Sequence, residues 1–202
     1  MNNLRRSMLR LAGMAPLAML GPARATEVLA APDRLVLDDF EGGTARELSG
    51  VSWNGFTDRV MGGRSDAEVG LGVVDGKSCA RMTGTVTRRN NGGFIQLAMY
   101  VDRGNGSLDA SAYKGLSLLV FGNDEDYNLH VQTADASWYD SSYRTTFHAP
   151  AVWSRIDMPW ESFEASNMPA VMNTAKITRI GLLGWMREFQ ADISLGEIAL
   201  YS

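Results

Sequence analysis

The chain has 202 residues, 19 basic against 23 acidic side chains for a net charge of −4, and 45% hydrophobic residues. That length suits one domain with a full core. The acidic balance, with no basic cluster beyond Arg88-Arg89, argues against nucleic acid and anionic lipid as partners.

Residues 1–25 read as an export signal rather than a structural element. Arg5-Arg6-Ser7-Met8-Leu9-Arg10 matches a twin-arginine box, residues 11–20 form a weak apolar core interrupted by Gly13 and Pro16, and Ala23-Arg24-Ala25 offers an A-x-A cleavage site. An ordinary secretory signal with two adjacent arginines is the alternative, and both place the protein outside the cytoplasm, in the periplasm. Removing the signal takes away four arginines and no acids, which leaves 15 basic against 23 acidic side chains and a net charge of −8. Residues 26–34 read as a lead-in and 35–202 as one domain. No later apolar run approaches the roughly 18 residues of a membrane span.

From residue 35 onward the apolar spacing is two, punctuated by Gly, Asn and Asp, which predicts an all-β domain. The expected strands are 35–40, 68–74, 79–86, 94–101, 116–121, 129–133, 143–148, 153–158, 178–183 and 193–201. Residues 108–113 and 159–163 are expected to form single helical turns. In Leu129-His130-Val131-Gln132-Thr133, alternation places His130 and Gln132 together on the solvent or ligand face. Residues 116–121 are nearly all apolar and read as a central strand covered on both sides. About ten strands without crossover helices imply a two-sheet antiparallel β-sandwich or jelly roll.

Several chemical signals dissolve on inspection. Gly70 to Ser78 imitates a phosphate-binding loop, but the glycine spacing is wrong by one, and Asp75-Gly76 reads as a hairpin turn. The only histidines, His130 and His148, have no Gly-x-Ser-x-Gly elbow and no cysteine partner, so neither a hydrolase nor a zinc site is expected. Cys79 reads as a small buried hydrophobe. Asp38-Asp39-Phe40-Glu41 with Glu197, or the turn Asn123 to Asp126, offers oxygens to a structural calcium, with a solvated turn as the simpler reading. No cofactor and no catalytic residue is expected. Among the aromatics, Trp153 and Trp160 read as packing, while Trp138 and Tyr139 read as either a ligand pair or a loop anchor.

Two loops carry the strongest motif. Asp58-Arg59-Val60-Met61-Gly62-Gly63-Arg64-Ser65 and Asn90-Asn91-Gly92-Gly93-Phe94 each set a glycine pair among polar residues, which permits φ > 0 and close backbone approach. Asp58 beside Arg59 reads first as a loop-fixing acceptor and only second as a general base. Taken together as a recognition surface, the loops would offer Asp58, Arg59, Ser65, Asn90 and Asn91 as polar contacts and Met61 and Phe94 as apolar ones, with Gly62, Gly63, Gly92 and Gly93 shaping the backbone.

With Asp38-Asp39-Phe40-Glu41, Trp53, Leu108 to Ser111 and Gly115-Leu116, these motifs resemble the complex I intermediate-associated protein 30 family over residues 35–201. The resemblance implies a galactose-binding-like jelly roll and a non-catalytic assembly or chaperone-like role toward a protein partner, such as a membrane or respiratory-complex subunit. The alternative is a carbohydrate-binding module for neutral glycans, which requires Trp138, Tyr139 and Trp185 exposed on a common face with His130, Gln132 or Arg144.

Overall fold

Period-two alternation gives strands throughout the computed structural model, which describes residues 32–41, 51–101 and 106–202. The signal expected over residues 1–25 lies outside them. The strands are β1 (Arg34–Asp38), β2 (Val51–Thr57), β3 (Asp66–Val74), β4 (Lys77–Val86), β5 (Phe94–Val101), β6 (Gly115–Phe121), β7 (Glu125–Thr133), β8 (Ser142–Ala149), β9 (Ser154–Pro159), β10 (Glu164–Ser166), β11 (Ile177–Trp185) and β12 (Phe189–Tyr201). The ten expected strands are all present, and β2 and β10 are additional. Helix among the described residues is limited to short 3-10 turns.

All pairings are antiparallel. The first sheet runs β3-β4-β12-β6-β9, and β1 pairs with the end of β12 beyond the stretch that β4 occupies. The second runs β10-β8-β7-β11-β5-β2. Their facing sides meet in one core, with Leu37, Met82, Leu116, Leu118, Ile193 and Ile198 from the first sheet against Ile95, Leu97, Met99, Leu129, Val131 and Ile180 from the second. This two-sheet packing is the all-β sandwich read from the sequence.

Tyr127, fully buried on β7, ties the sheets with polar bonds: its hydroxyl donates to Asn123 Oδ1 at 2.7 Å and accepts from the Asp192 amide of β12 at 2.8 Å. The β3–β4 connection is a tight hairpin with φ of 45° at Asp75 and 78° at Gly76, as a two-residue primed turn requires. Cys79 is buried.

Residues 108–113 make no helical turn. Leu108 exchanges backbone hydrogen bonds with Ile177 at 2.7 and 3.0 Å, and Leu108, Ala110 and Tyr113 are all buried. What remains of the expected turn is one backbone bond, the Tyr113 amide donating to the Ala110 carbonyl at 3.1 Å, without a helical segment. The turn expected at 159–163 is present as a 3-10 segment at Trp160–Ser162, and Trp160 Nε1 donates to the Tyr113 carbonyl.

Candidate functional site

The two glycine-pair loops meet around one carboxylate. Asp58 opens a 3-10 turn, Asp58–Met61, capped by the Thr57 side chain and ended by Gly62 at φ 89°. Its side chain is fully buried. One oxygen accepts from the Ser65 amide at 2.9 Å, and the other from the Ser65 hydroxyl at 2.5 Å, the Gly93 amide at 2.6 Å and the Phe94 amide at 3.2 Å. Burial acts to raise its pKa, but the Ser65, Gly93 and Phe94 hydrogen bonds outweigh it and hold the group below the usual carboxylate value.

Two of the glycines are explained by this carboxylate. A Cβ on Gly63 or on Gly92 would collide with the Asp58 side chain. Ser65 extends the join, since its hydroxyl also accepts from the Thr87 amide at 3.0 Å. Asn90 and Asn91 both adopt the left-handed region, and Asn90 Nδ2 reaches the Gly62 carbonyl at 3.4 Å. Arg59 Nε donates to the Ser65 carbonyl at 2.8 Å. Of the loop residues singled out in the sequence, Asp58, Gly63, Ser65, Gly92 and Gly93 are thus buried in the join, while Arg59, Met61, Gly62, Asn90 and Asn91 are exposed.

The join borders a groove of about 760 Å³ on the outer face of the second sheet. Its floor is the row of side chains opposite the core: Phe94 and Gln96 on β5, Leu183 and Trp185 on β11, and His130 on β7. Register brings them together. Gly181 pairs with Ala98 and His130, Leu183 with Gln96, and Trp185 with Phe94. Gly181 has no room for a Cβ, because the Gln96 amide lies across it. Met61, Met186 and Tyr139 form the rim, all exposed. Met186 is fixed there by its amide, which donates to the Gly93 carbonyl at 2.6 Å.

Two floor groups are chemically incomplete. Gln96 is 3% and His130 6% exposed, yet Gln96 Nε2 and His130 Nε2 have no hydrogen-bond partner among the described residues. Burial first, then Arg144 and Arg179, push the His130 imidazole down to about 3, so it is neutral at physiological pH. Its ring stands edge-on to Trp185, with centroids 4.8 Å apart.

The two arginines enter from neighbouring strands. Arg144, paired with His130 across β7 and β8, donates to Ser142 Oγ at 2.9 Å and the Asp140 carbonyl at 2.8 Å, and lies 5.1 Å from the Trp185 ring centre. Burial holds its pKa below the ordinary arginine value, with the Asp140 charge acting in the opposite direction. Arg179 lies in the same outward row as Gly181, Leu183 and Trp185, opposite Tyr100 of β5. The β7–β11 register shifts between Ile177 and Arg179, so Ile177 and Ile180 both face the core while Arg179 faces out beside Tyr100. Neither arginine forms an ion pair with a carboxylate among the described residues.

The 134–141 loop is held by Gln132, whose Nε2 donates to the Tyr139 and Ser141 carbonyls at 3.0 and 2.7 Å. Trp138 and Tyr139 are 69% and 73% exposed, but only Tyr139 lines the groove. Tyr139, Trp185, His130 and Arg144 therefore share one face. Gln96, Leu183 and Arg179 were not among the residues singled out in the sequence. The lone amide in the apolar run Phe94–Val101 was the signal for Gln96, and alternation within the expected strand 178–183 already sets Arg179 on the face opposite Ile180 and Leu182.

The oxygens weighed for calcium are engaged elsewhere. The Asp38 carboxylate accepts from the Phe40 amide at 2.9 Å and Trp53 Nε1 at 2.8 Å, and Glu197 pairs with Arg34 and with Arg155. Among the described residues no group of three or more His, Cys, Asp or Glu side chains is placed to hold a metal ion.

Residues 39–197 match the family model described as Complex I intermediate-associated protein 30. The chain belongs to that family. Comparison with curated proteins finds no match. Among solved structures it is similar to a family 11 carbohydrate-binding module from Clostridium thermocellum in complex with a beta-1,3-1,4-mixed-linked tetrasaccharide, at 13% identity over 85% of this chain and 97% of that one, TM-score 0.65. A family 11 module of a cellulosomal cellulase from the same organism gives 14% identity over 85% and 96%, TM-score 0.65. A family 30 module, also from a cellulosomal cellulase of Clostridium thermocellum, gives 14% over 76% and 93%, TM-score 0.55. At these identities the likeness is one of fold, a jelly-roll sandwich.

Proposed function

We propose that the protein is a non-catalytic binding factor that assists assembly of a protein complex, and that it recognises its partner through the groove of the second sheet. The observation that carries this reading is the pair of buried nitrogens, on Gln96 and His130, left without partners at the base of an open groove. An unsatisfied buried polar group costs about 1–3 kcal/mol, which a ligand that supplies the missing bond recovers on binding. The family's description supports an assembly role.

The test is capture of partners by the tagged full chain from extracts of its own cells, beside Gln96→Ala and His130→Gln variants whose fold is checked by circular dichroism. A membrane-complex subunit retained by the parent and lost by both variants is the expected result. A partner held equally by all three proteins overturns the groove as its binding surface.

A second reading, a saccharide in the groove, is favoured by one observation: Tyr139 stands exposed at the rim on the face that Trp185, His130 and Arg144 share. The family 11 module whose fold this chain resembles was solved with a tetrasaccharide. A panel of neutral oligosaccharides, followed by thermal shift, tests this reading, and a shift abolished by Tyr139→Ala and Gln96→Ala supports it. Periplasmic placement follows only from the expected export signal and is part of the proposal.

A further inference from the structure

The groove reading leaves open what chemistry its ligand carries. We propose that the groove selects an acidic segment of a partner protein, seating a carboxylate between Arg144 and Arg179 above His130. This rests on the groove being the recognition surface.

The unmatched groups on the floor define the ligand. Gln96 Nε2 is a donor without an acceptor, and the guanidinium groups of Arg144 and Arg179 keep N–H groups beyond those bonded to Ser142, Asp140 and Tyr139. The neutral His130 has its Nε2 free and becomes a further donor in the Nε2–H tautomer. A floor of donors with two arginines lacking carboxylate partners calls for an acceptor-rich anion. Arginine's planar fork suits a carboxylate bound by two parallel N–H···O bonds. Among the described residues, Asp140 at the rim is the one acid that lines this groove, and its backbone carbonyl is already bonded to Arg144.

The surroundings favour a peptide over an acidic sugar. Trp185 carries Arg144 over its ring and packs against Phe94, which in turn meets Phe56 edge-on, so Phe94 is buried and Trp185 half-buried among its neighbours. The rim exposes Val60 at 71%, Met61 at 53% and Met186 at 47% beside Tyr139 at 73%, so most of its apolar surface is aliphatic or thioether rather than aromatic. Flexible, polarisable methionines suit apolar side chains of varied shape. Beyond that rim, Arg59, Arg64, Arg88 and Arg89 stand exposed on the two joined loops, none paired with a described carboxylate. Positive charge thus continues past the groove, as an extended acidic segment with interspersed apolar residues requires.

The test is selection from a displayed random peptide library on the full chain, beside an Arg144→Gln/Arg179→Gln double variant and an Arg155→Gln control on the other sheet. The parent and the control are expected to retain peptides enriched several-fold in Asp and Glu, and the double variant to lose that enrichment. Replacing Glu by Gln in a selected peptide should weaken binding about tenfold or more, and added salt should weaken the acidic form more than the amide form. Retained peptides without acidic enrichment, or enrichment that survives in the double variant, overturn the proposal. So does an absence of retained peptides together with binding of a galacturonic acid trisaccharide, which assigns the groove to a saccharide. A cellular partner lost by Gln96→Ala yet held by the double variant leaves the groove in place and removes only its acidic preference.

Discussion

The Asp58 carboxylate lies 2.6 Å from the amide nitrogen of Gly93, a residue thirty-five positions away, and this bond closes one motif loop onto the other. Asp58→Asn keeps the shape but turns an NH₂ group toward N–H donors. The variant should lose about 3 kcal/mol or more of unfolding free energy, measured in urea, because a buried amide is left without an acceptor.

The glycines beside this carboxylate should separate by mechanism. Gly63→Ala and Gly92→Ala must displace Asp58 and should each cost about 3 kcal/mol, whereas Gly62→Ala meets open space and carries only the left-handed backbone penalty of about 1–2 kcal/mol. Equal losses at all three positions would show that backbone strain, not the Asp58 contact, sets the requirement.

Acid should weaken the fold before any carboxylate titrates. His130 has its imidazole pushed down to about 3, against about 6.5 when unfolded, so between those values the unfolded chain binds the extra proton. Stability is then complete above about pH 6.5 and falls as pH drops. From pH 7 to 5.5 the loss should be roughly 1 kcal/mol, and His130→Gln should abolish that slope. Asp58, with its pKa lowered, adds a further loss only as pH falls below about 4.

Tyr127→Phe removes the hydroxyl that bonds Asp192 and Asn123 while leaving the ring in the core. The expected cost is about 1–2 kcal/mol, with faster hydrogen exchange at the Asp192 amide. Unchanged exchange there would show that water replaces the lost acceptor.

Most of the sandwich was legible, because strands such as β9 and the second half of β8 write their burial directly as alternation. The strand β2 was not, since Ser52, Asn54 and Gly55 dilute its apolar positions, and its place beside β5 is set by pairing rather than pattern. β10 is three residues long and carries no periodic signal. The loop motifs pointed to two segments that meet in the structure, but a sequence does not state whether a polar side chain turns inward. Asp58 and Ser65 turn inward, and the groove beside them is built from outward-facing residues scattered over five strands.

The buried half of the two loop motifs, Asp58, Gly63, Ser65, Gly92 and Gly93, is therefore consumed by internal joinery. Side chains that hold two loops together are not free to choose a ligand, while Gln96, Leu183 and Arg179 occupy strand positions that the join does not fix. If the groove is the binding surface proposed above, two chains bearing the same signature can share a scaffold and hold different molecules, the motif fixing the vessel and the groove row its contents.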